Sequence, residues 1–459
     1  MPENGPPEPA LTGTTAAMAA EATMAAEAAE AAITILRRLA DDNRVGEVAA
    51  SAEWLVGRPV WHRDASLYGG AAGHALAFAH AAAVLDDEDG QWWEQARRWL
   101  RIAADSTRTA PLSSCCLGYG TAGVAAAAAA AREVDARYGP ALLALHRDVA
   151  AQVDGMSPPD PEGVAFPDYD VVGGPAGVLA HLASAAPAEG PGQAAERLAD
   201  RLAGMAAAGD GDPWAGWRVP RRNYPRRDIE HELYPYGYVD LGLAHGIPGP
   251  LAALSRAWTA GDRRPPVREA LEGLAGQLVA ASRFDRYGRA WPRVMPFSAA
   301  GRIAPEMAET ADAAYCYGPP GICSALLDAA DALEDTALRA VAVDGFEAAL
   351  RRLADDGPPS SSGLCHGVAG LLVICRKFAA ATGSATAAAA AAELTGVLLS
   401  RCDPALPLAI QESTVAEDGG EIRIDDPGLL SGATGVALAL LMIGTGQPDR
   451  WSRTLVIGR

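Results

Sequence analysis

Residues 70–79 have the sequence Gly-Ala-Ala-Gly-His-Ala-Leu-Ala-Phe-Ala, in which two glycines three positions apart open a run of small apolar residues. The same arrangement, Gly-x-x-Gly followed at once by an apolar run, occurs seven times. The glycine pairs are Gly70/Gly73, Gly120/Gly123, Gly174/Gly177, Gly246/Gly249, Gly318/Gly321, Gly367/Gly370 and Gly432/Gly435. Their spacings of 50, 54, 72, 72, 49 and 65 residues indicate an array of seven related units.

The apolar runs are apolar on nearly all sides, which is typical of helices buried all round. Between them lie amphipathic segments, such as Trp92, Ala96 and Trp99, and Val267, Leu271 and Leu274, at helical spacing. Each unit is therefore interpreted as an outer amphipathic helix followed by an inner buried one, and glycines at the entry allow close backbone approach. Strand-like alternation is almost absent. The fold class is all-α, and the uniformly apolar inner helices favour a closed ring over an open solenoid.

Sequence features outside the repeat predict the chain's organisation. Residues 1 to about 15 are rich in Pro, Gly and Thr and are predicted to be disordered, and Met18 to Asp41 is predicted to be helical. We expect an N-terminal extension over residues 1–45 and a single toroidal domain over residues 46–459. The two 72-residue spacings leave room for insertions, Gly209 to Tyr238 and Arg283 to Ala314, which we expect to be loops or short hairpins on one face.

The composition excludes several classes of protein. The 459 residues carry 38 Lys and Arg against 57 Asp and Glu, and a net charge of -19 opposes nucleic-acid binding, which needs a basic surface. Seven cysteines in a chain of this length do not form a disulfide scaffold. The N-terminus lacks the basic and apolar regions of a secretion signal, and Leu429 to Gly446 is interrupted by glycines. The sequence predicts a cytoplasmic protein without a membrane span.

The residues just before the first glycine change from bland to reactive in units four, five and six. The three segments are Ala244-His245-Gly246, Cys316-Tyr317-Gly318 and Cys365-His366-Gly367. If the units are structurally equivalent, these positions converge at one end of three neighbouring inner helices. Two thiolates and one imidazole suit Zn²⁺, and three protein ligands leave the open position of a catalytic site. The alternative is that the cysteines are buried as small hydrophobic residues.

The longer segments around these residues resemble the signature motifs of the lanthipeptide cyclases (LanC-like proteins). They are Leu241–Gly249, Tyr315–Gly321 and Leu364–Gly370, and the seven glycine pairs match that family's seven-fold double ring of helices, an α/α toroid. The resemblance covers roughly residue 46 to the end. It implies an enzyme that adds a cysteine thiol of a precursor peptide to dehydroalanine or dehydrobutyrine, forming a (methyl)lanthionine thioether ring.

The resemblance also implies roles for individual residues. The zinc ligands of the family match Cys316, Cys365 and His366, its proton-handling histidine matches His245, its aspartate matches Asp170, and its active-site tyrosine matches Tyr317. These roles are chemically reasonable, since zinc deprotonates a thiol and an imidazole titrates near neutral pH. Asp170 as a helix cap and Tyr317 as a packing residue are the structural alternatives.

The sequence departs from the family at two positions. Asp312 stands where the family usually carries an arginine, four residues before Cys316, and Tyr315 stands where it usually carries a tryptophan. Arg302, or an arginine among residues 218–227, is expected to supply the missing positive charge. The metal ligands are unaffected by either departure.

Three functions follow from these observations as alternatives. The first is a zinc-dependent cyclase that acts on a precursor peptide with a leader. Because 459 residues leave no room for a fused dehydratase domain, we expect a separate dehydratase to act on the peptide first. The second is a LanC-like enzyme that adds a small thiol such as glutathione to dehydroamino acids. The third is a zinc-keeping scaffold that binds a peptide without catalysis. A glycosidase of similar shape is disfavoured, because it would need paired carboxylates in place of Cys and His.

A cluster of arginines in the first insertion is a candidate docking site for the leader peptide. Its members are Arg218, Arg221, Arg222, Arg226 and Arg227. Guanidinium groups bind carboxylates through paired, charge-assisted hydrogen bonds, so the cluster could hold acidic leader residues. The alternative is a solvated loop in which the arginines pair with Asp210, Asp228 and Glu230.

Overall fold

The structure is a computed structural model that describes residues 11–56, 65–185, 192–208, 212–224, 228–308, 314–416, 419–447 and 450–458. Within these ranges the chain forms seventeen α-helices and three two-stranded antiparallel sheets. The predicted all-α class is therefore confirmed, with strands confined to short pairs between helices.

Seven of the helices form an inner ring, and each begins at one of the glycine pairs. They are α3 (Ala71–Val84), α5 (Thr121–Val134), α7 (Pro175–Ala183), α10 (Pro248–Thr259), α12 (Pro319–Leu333), α14 (Val368–Thr382) and α16 (Ala433–Thr445). Each packs against the next in this order, and α16 packs against α3, so the ring is closed. Most of their residues are buried, which is why these segments lack a polar side.

Seven further helices form an outer ring around the first. They are α1 (Leu11–Leu39), α4 (Gln91–Thr109), α6 (Gly139–Asp154), α8 (Gly192–Ala207), α11 (Pro265–Ala281), α13 (Thr336–Asp356) and α15 (Ala385–Arg401). Each outer helix from α4 onward packs more extensively on the inner helix before it than on the inner helix after it, the reverse of the order interpreted from the sequence. Short connections explain this pairing, because two residues between α12 and α13, or between α14 and α15, force neighbouring antiparallel helices.

The N-terminal helix α1 completes the outer ring. It packs along α16, where Gly444 allows its backbone to approach Ala29 so closely that a Cβ would lie 2.6 Å from the Ala29 nitrogen. Residues 11–15, predicted to be disordered, are helical, because the alanine-rich run extends the helix toward the N-terminus. The division of the chain at residue 45 stays a prediction.

Backbone hydrogen bonds link the loops before the inner helices into a second closed circle. The donor amides and acceptor carbonyls are Leu67–Gly118 (3.0 Å), Gly118–Val172 (2.9 Å), Val171–Ala244 (3.1 Å), Ala244–Cys316 (3.4 Å), Cys316–Cys365 (3.0 Å), Cys365–Leu430 (2.9 Å) and Leu429–Tyr68 (2.9 Å). Every acceptor stands two residues before the first glycine of its unit, and every donor stands two or three residues before the first glycine of its own. The predicted equivalence of the seven units and the closure of the ring are both confirmed by this circle.

The second residue of each pair must be glycine because a side chain would not fit there, and not because of its backbone angles. A Cβ at Gly370 would lie 1.9 Å from the Leu364 carbonyl oxygen, and one at Gly177 would lie 2.0 Å from that of Val171. At all seven second glycines, an added Cβ would lie 2.8 Å or less from the carbonyl oxygen of the residue six positions earlier. Real Cβ atoms do not approach so closely, so only glycine allows the loop to fold back on the start of its helix.

The two predicted insertions contain turns, a short helix and strands. The first ends in β1 (Tyr238–Asp240) after α9 (Asp228–Leu233), and the second contains β2 (Arg283–Asp285), β3 (Gly288–Ala290) and β4 (Val294–Pro296). Strands β2 and β3 form a hairpin, whereas β1 pairs with β4 and joins the two insertions. A third pair, β5 (Glu412–Val415) with β6 (Glu421–Ile424), lies between α15 and α16.

The remaining helices lie near the two ends of the chain. Helix α2 (Asp42–Val56) packs Ala52 and Val56 on Ile424 of β6. Helix α17 (Arg450–Thr454) packs on α3 and α7, and the three residues after it are buried. In the described part of the chain, no helix combines the length and apolar character needed to cross a bilayer.

Candidate metal centre

The reactive residues occupy equivalent places in the circle of loops. Cys316 and Cys365 each stand two residues before the first glycine of their pair, and His245, Tyr317 and His366 stand one residue before it. The loops of units four, five and six are joined directly, from the Ala244 amide to Cys316 and from the Cys316 amide to Cys365. Residues 49 to 121 positions apart in sequence therefore meet at the N-terminal ends of α10, α12 and α14.

Cys316, Cys365 and His366 form a group that could hold a metal ion. Their ligand atoms all lie within 4.8 Å of one another, and they run from buried Cys316 through Cys365 to exposed His366. Zinc binds sulfur at about 2.3 Å and imidazole nitrogen at about 2.0–2.1 Å, so ligand atoms of a tetrahedral site lie roughly 3.5–4 Å apart. The donor set fits zinc in type, the ligand atoms are close enough to meet around one ion after small side-chain shifts, and the exposed His366 side leaves room for a fourth ligand.

The pKa values of the two thiols are shifted in opposite directions. The hydrogen bond to Cys365, opposed by burial and helped by His366, lowers the pKa of Cys316. The same hydrogen bond, together with burial, raises the pKa of Cys365 well above its ordinary value. The opposite shifts follow from one hydrogen bond between the two sulfurs, and a divalent cation that binds both would replace the proton in that bond.

A buried carboxylate that sequence reasoning missed supports this group. Glu412 of β5 accepts hydrogen bonds from the amides of Ser362 (2.9 Å) and Gly363 (3.0 Å), which begin the loop of Cys365 and His366. Burial raises its pKa, although these hydrogen bonds and the charge of His366 oppose the shift. No repeat or motif marks Glu412, because only the folded chain brings β5 behind this loop.

His245 and Asp170 form a hydrogen-bonded pair beside the metal ligands. The His245 Nδ1 lies 2.6 Å from Asp170 Oδ2, and the ring of Phe166 stacks on the imidazole with centroids 4.8 Å apart. Asp170 Oδ1 accepts from the Gly173 amide at 2.7 Å. Asp170 Oδ1 therefore closes the loop before α7 rather than capping the helix, whose N-cap residue Gly174 has no side-chain cap, and Oδ2 pairs with His245.

The pairing with Asp170 favours the charged form of the imidazole. Burial alone would lower the pKa of His245, but the hydrogen bond to Asp170 and the charges of Asp170 and Asp240 raise it overall. Burial raises the pKa of Asp170, and the interaction with His245 offsets part of that rise. The His245 imidazole can therefore carry a proton on Nε2, the nitrogen that is not hydrogen-bonded to Asp170.

Tyr317 lies near the imidazole of His245. It contacts Asp240, a second carboxylate that sequence reasoning missed. The Tyr317 and His245 ring centroids are 6.3 Å apart, and the Tyr317 hydroxyl donates to Asp240 Oδ2 at 3.2 Å. Asp240 is buried, which raises its pKa to about 6. A signal for it exists in the sequence, since every unit carries Asp or Ser six residues before its first glycine.

The two departures from the family pattern have different outcomes. Tyr315 is buried and its hydroxyl donates to the Leu455 carbonyl at 2.7 Å, so it is a structural residue behind Cys316. Asp312 lies outside the described residues. Counted in sequence, it stands six residues before Gly318, where the other units also carry Asp or Ser. Arg302, one expected substitute for the missing arginine, is exposed on a turn.

The described members of the arginine cluster are already engaged. Arg218 donates to the Tyr236 carbonyl at 2.9 Å, and Arg221 donates to His231 Nδ1 at 3.1 Å. Arg222 pairs with Asp160 at 3.0 Å and with Glu162 at 3.7 Å. These acids differ from the predicted partners, and Arg226 and Arg227 lie outside the described residues.

Comparison with known proteins gives consistent matches in sequence and in structure. The sequence model of the family described as "Lanthionine synthetase C-like protein" matches residues 62–456. Nisin biosynthesis protein NisC of Lactococcus lactis subsp. lactis is 27% identical over 275 residues, which are 56% of this chain and 61% of that protein. The match thus spans less than two thirds of that relative's length.

A solved structure of a nisin cyclase superposes on this chain with a TM-score of 0.71 and 22% sequence identity. The superposition covers 91% of this chain and 97% of the other, so the two share the α/α toroid fold. The family match spans most of the chain and includes all seven glycine pairs. The chain therefore belongs to the lanthionine synthetase C-like family.

Proposed function

We propose that the protein is a zinc-dependent cyclase that forms thioether rings in a precursor peptide. It would add the thiol of a peptide cysteine to a dehydroalanine or dehydrobutyrine of the same chain. The observation that carries the proposal is the meeting of Cys316, Cys365 and His366 with the His245–Asp170 pair at one end of the ring. The similarity to a protein named nisin cyclase supports the same reaction.

Cys316, Cys365 and His366 would hold the metal. Their two sulfurs and one nitrogen are donors that suit zinc, and the three ligand atoms lie within 4.8 Å of one another. When bound, zinc would supply the chemistry that a free thiol lacks at neutral pH, by lowering the pKa of the substrate cysteine so that it reacts as the thiolate. The buried Glu412 would keep the ligand loop in place.

The chain's own residues would handle the rest of the reaction. As the peptide thiolate forms a bond to the acceptor β-carbon, the electron pair of the C=C bond moves toward the carbonyl and leaves an enolate. His245, held as the imidazolium by Asp170, would deliver one proton to the α-carbon, which completes the thioether and leaves a neutral imidazole. Tyr317 would contact the acceptor residue beside it.

The substrate of this reaction has to carry dehydroamino acids before it arrives. A dehydratase acting on serine or threonine must therefore precede the cyclase, and it is the partner that we propose besides the precursor peptide. Docking of the leader on the arginine cluster stays a prediction. Arg222 already has acidic partners in Asp160 and Glu162, so an acidic leader would have to compete with them.

A thiol-protection assay tests the proposed function. The substrate is a dehydrated precursor peptide that retains its cysteines, and each ring formed protects one thiol from alkylation, as measured by mass spectrometry. Wild-type protein should protect the thiols, and protection should be lost after zinc is removed by a chelator. His245→Ala should keep its zinc and lose roughly 10²–10⁴-fold in rate, the usual contribution of a general acid.

His231→Ala is the matched control, because His231 contacts Arg221 and Tyr224 rather than the metal ligands. It should cyclise at the wild-type rate. Undiminished ring formation by His245→Ala would remove His245 from the mechanism. A zinc-loaded wild type that protects no thiol would instead favour the scaffold, and protection only when glutathione is present would favour the small-thiol enzyme.

A further inference from the structure

Arg293 lies against the side chains of the proposed active site, although no sequence motif marks it. It directly precedes β4, and its carbonyl accepts a hydrogen bond from the Leu241 amide at 3.1 Å. Its guanidinium carbon lies 4.3 Å from the centre of the Tyr317 ring. This cation–π contact places a permanent positive charge beside the residue that follows Cys316.

Asp240 accepts a hydrogen bond from the Tyr317 hydroxyl, and its carboxylate balances the positive charge of Arg293. Its Oδ1 is fixed by the Gly242 amide at 2.7 Å, and its Oδ2 accepts from the Tyr317 hydroxyl at 3.2 Å. The register of β1 against β4 places Asp240 opposite Val294, the residue after Arg293. The pairing of β1 with β4 thus brings a carboxylate and a guanidinium to the same tyrosine, Asp240 from the end of β1 and Arg293 from the residue before β4.

The other arginines predicted to supply the missing positive charge make different contacts. The guanidinium of Arg218 lies over the ring of Phe297, 4.6 Å from its centre, and Arg222 pairs with Asp160 and Glu162. Arg302 is exposed on a turn closed by hydrogen bonds from Ser298 to its carbonyl. Arg293, by contrast, is half-buried and lies over Tyr317, whose ring neighbours that of His245.

We infer that Arg293 binds the carbonyl oxygen of the dehydroamino acid and stabilises the enolate that forms when the peptide thiolate adds to it. The inference rests on the proposed cyclase function. During the addition the C–S bond forms at the β-carbon, the π bond between the α- and β-carbons breaks, and its electron pair becomes the enolate charge on the carbonyl oxygen. The guanidinium remains protonated and donates hydrogen bonds to that oxygen, while His245 supplies the proton at the α-carbon.

Asp240 is a positioning residue in this arrangement. It holds the Tyr317 hydroxyl, and through the tyrosine ring it fixes the surface on which the guanidinium lies. A donor held in place before the reaction stabilises developing charge without further reorganisation, which is where such groups contribute most. Arg293 and Asp240 lie far apart in sequence, so only the β1–β4 pairing makes them a unit.

Single-turnover cyclisation of a dehydrated peptide by Arg293→Gln, with zinc content and peptide affinity measured in parallel, tests the inference. We expect the rate at saturating peptide to fall about 10²–10³-fold, the usual effect of removing one oxyanion donor. Zinc content and peptide dissociation constant should change little, because the guanidinium contacts neither the metal ligands nor remote parts of the peptide. Arg293→Lys should recover part of the rate, since it keeps the charge. Arg302→Gln is the matched control and should behave as wild type.

The outcomes separate the inference from the proposed function. If wild type cyclises and Arg293→Gln cyclises as fast, Arg293 has no catalytic role and the inference alone is wrong. If wild type forms no ring, the proposed function fails and the inference fails with it. Should Arg293→Gln fold poorly because Asp240 loses its counter-charge, the double variant Arg293→Gln/Asp240→Asn removes both charges. A wild-type rate in that folded double variant would also overturn the inference.

Discussion

At the scale of single residues, the His245–Asp170 pair has the most direct consequence for activity. Asp170 raises the pKa of His245 against the effect of burial, so the imidazole stays protonated to higher pH than an isolated histidine. A general acid works only while it holds its proton. The rate of ring formation should therefore fall as the pH rises through this raised pKa.

Asp170→Asn should shift that fall to lower pH. The asparagine can still accept from the Gly173 amide, but it carries no charge to hold the imidazolium, so burial lowers the pKa of His245. At neutral pH we expect a rate loss of roughly 10²–10⁴-fold. The measurement is the cyclisation rate across the range from acidic to alkaline pH.

Asp168→Asn provides the control for this profile, because Asp168 pairs with Arg201 and does not contact His245. Its profile should match that of wild type. An unchanged alkaline limb in Asp170→Asn would show that Asp170 does not set the protonation of the acid.

The metal ligands make a second prediction at this scale. Purified protein should contain about one zinc per chain. Cys365→Ala should lose most of it, because two remaining ligands hold zinc weakly, whereas Cys402→Ala should keep it, since Cys402 lies at the end of α15. Elemental analysis measures the metal, and circular dichroism should show a helical protein in both variants, because the large core does not depend on zinc. Full zinc retention in Cys365→Ala would overturn the ligand assignment.

At the scale of the elements, the second glycine of each pair decides whether a loop can close on its helix. Gly370→Ala would place a Cβ 1.9 Å from the Leu364 carbonyl oxygen, so the loop of Cys365 and His366 would have to move. We expect a loss of about 3 kcal/mol or more, above the usual range for overpacking because backbone blocks the added methyl. Thermal unfolding and zinc content should both report the change.

Gly396→Ala is the control for this substitution. Gly396 lies inside α15, and no atom outside its own helix lies within 4 Å of the place that an added Cβ would occupy. Alanine there should stabilise the helix by about 0.5–1 kcal/mol. Opposite signs for the two glycines are the expected result. A Gly370→Ala protein as stable as wild type would mean that the loop tolerates a different path.

At the scale of the whole molecule, the C-terminal segment packs against the inner ring. Leu455, Val456 and Ile457 are almost fully buried, and helix α17 before them packs on α3 and α7. The Leu455 carbonyl accepts from Tyr315, and the Gly458 carbonyl accepts from Arg256 at 3.0 Å. The end of the chain therefore supports the loop that carries Cys316.

Leu455→Ala should lower the free energy of unfolding by about 2–5 kcal/mol, the usual cost of removing a buried leucine side chain. Val415→Ala, on an exposed position of β5, should change it by no more than about 0.5 kcal/mol. Chemical denaturation followed by circular dichroism compares the two variants. Equal stabilities would show that the C-terminal segment does not contribute to the core.

The sequence by itself determined the ring and the main site. Seven glycine pairs before apolar runs predicted seven inner helices. The structure shows why glycine is needed there, since only glycine fits against the carbonyl six residues earlier. Equal positions in successive units then predicted that Cys316, Cys365 and His366 meet, and that His245 lies beside them. A repeat allows this, since it converts distance along the chain into position around a ring.

Only the tertiary structure decided which other side chains join the site and how the ring is closed. Glu412 and Arg293 lie in or beside strands of the connecting segments, whose pairing no periodicity in the sequence specifies. The position of Asp240 recurs in the repeat, but its contact with Tyr317 does not follow from the sequence. The partner of α16 is α1 from the far end of the chain, a contact that depends on ring closure rather than on neighbouring residues. Local sequence patterns report which face of an element is buried, but they do not report which distant segment covers it.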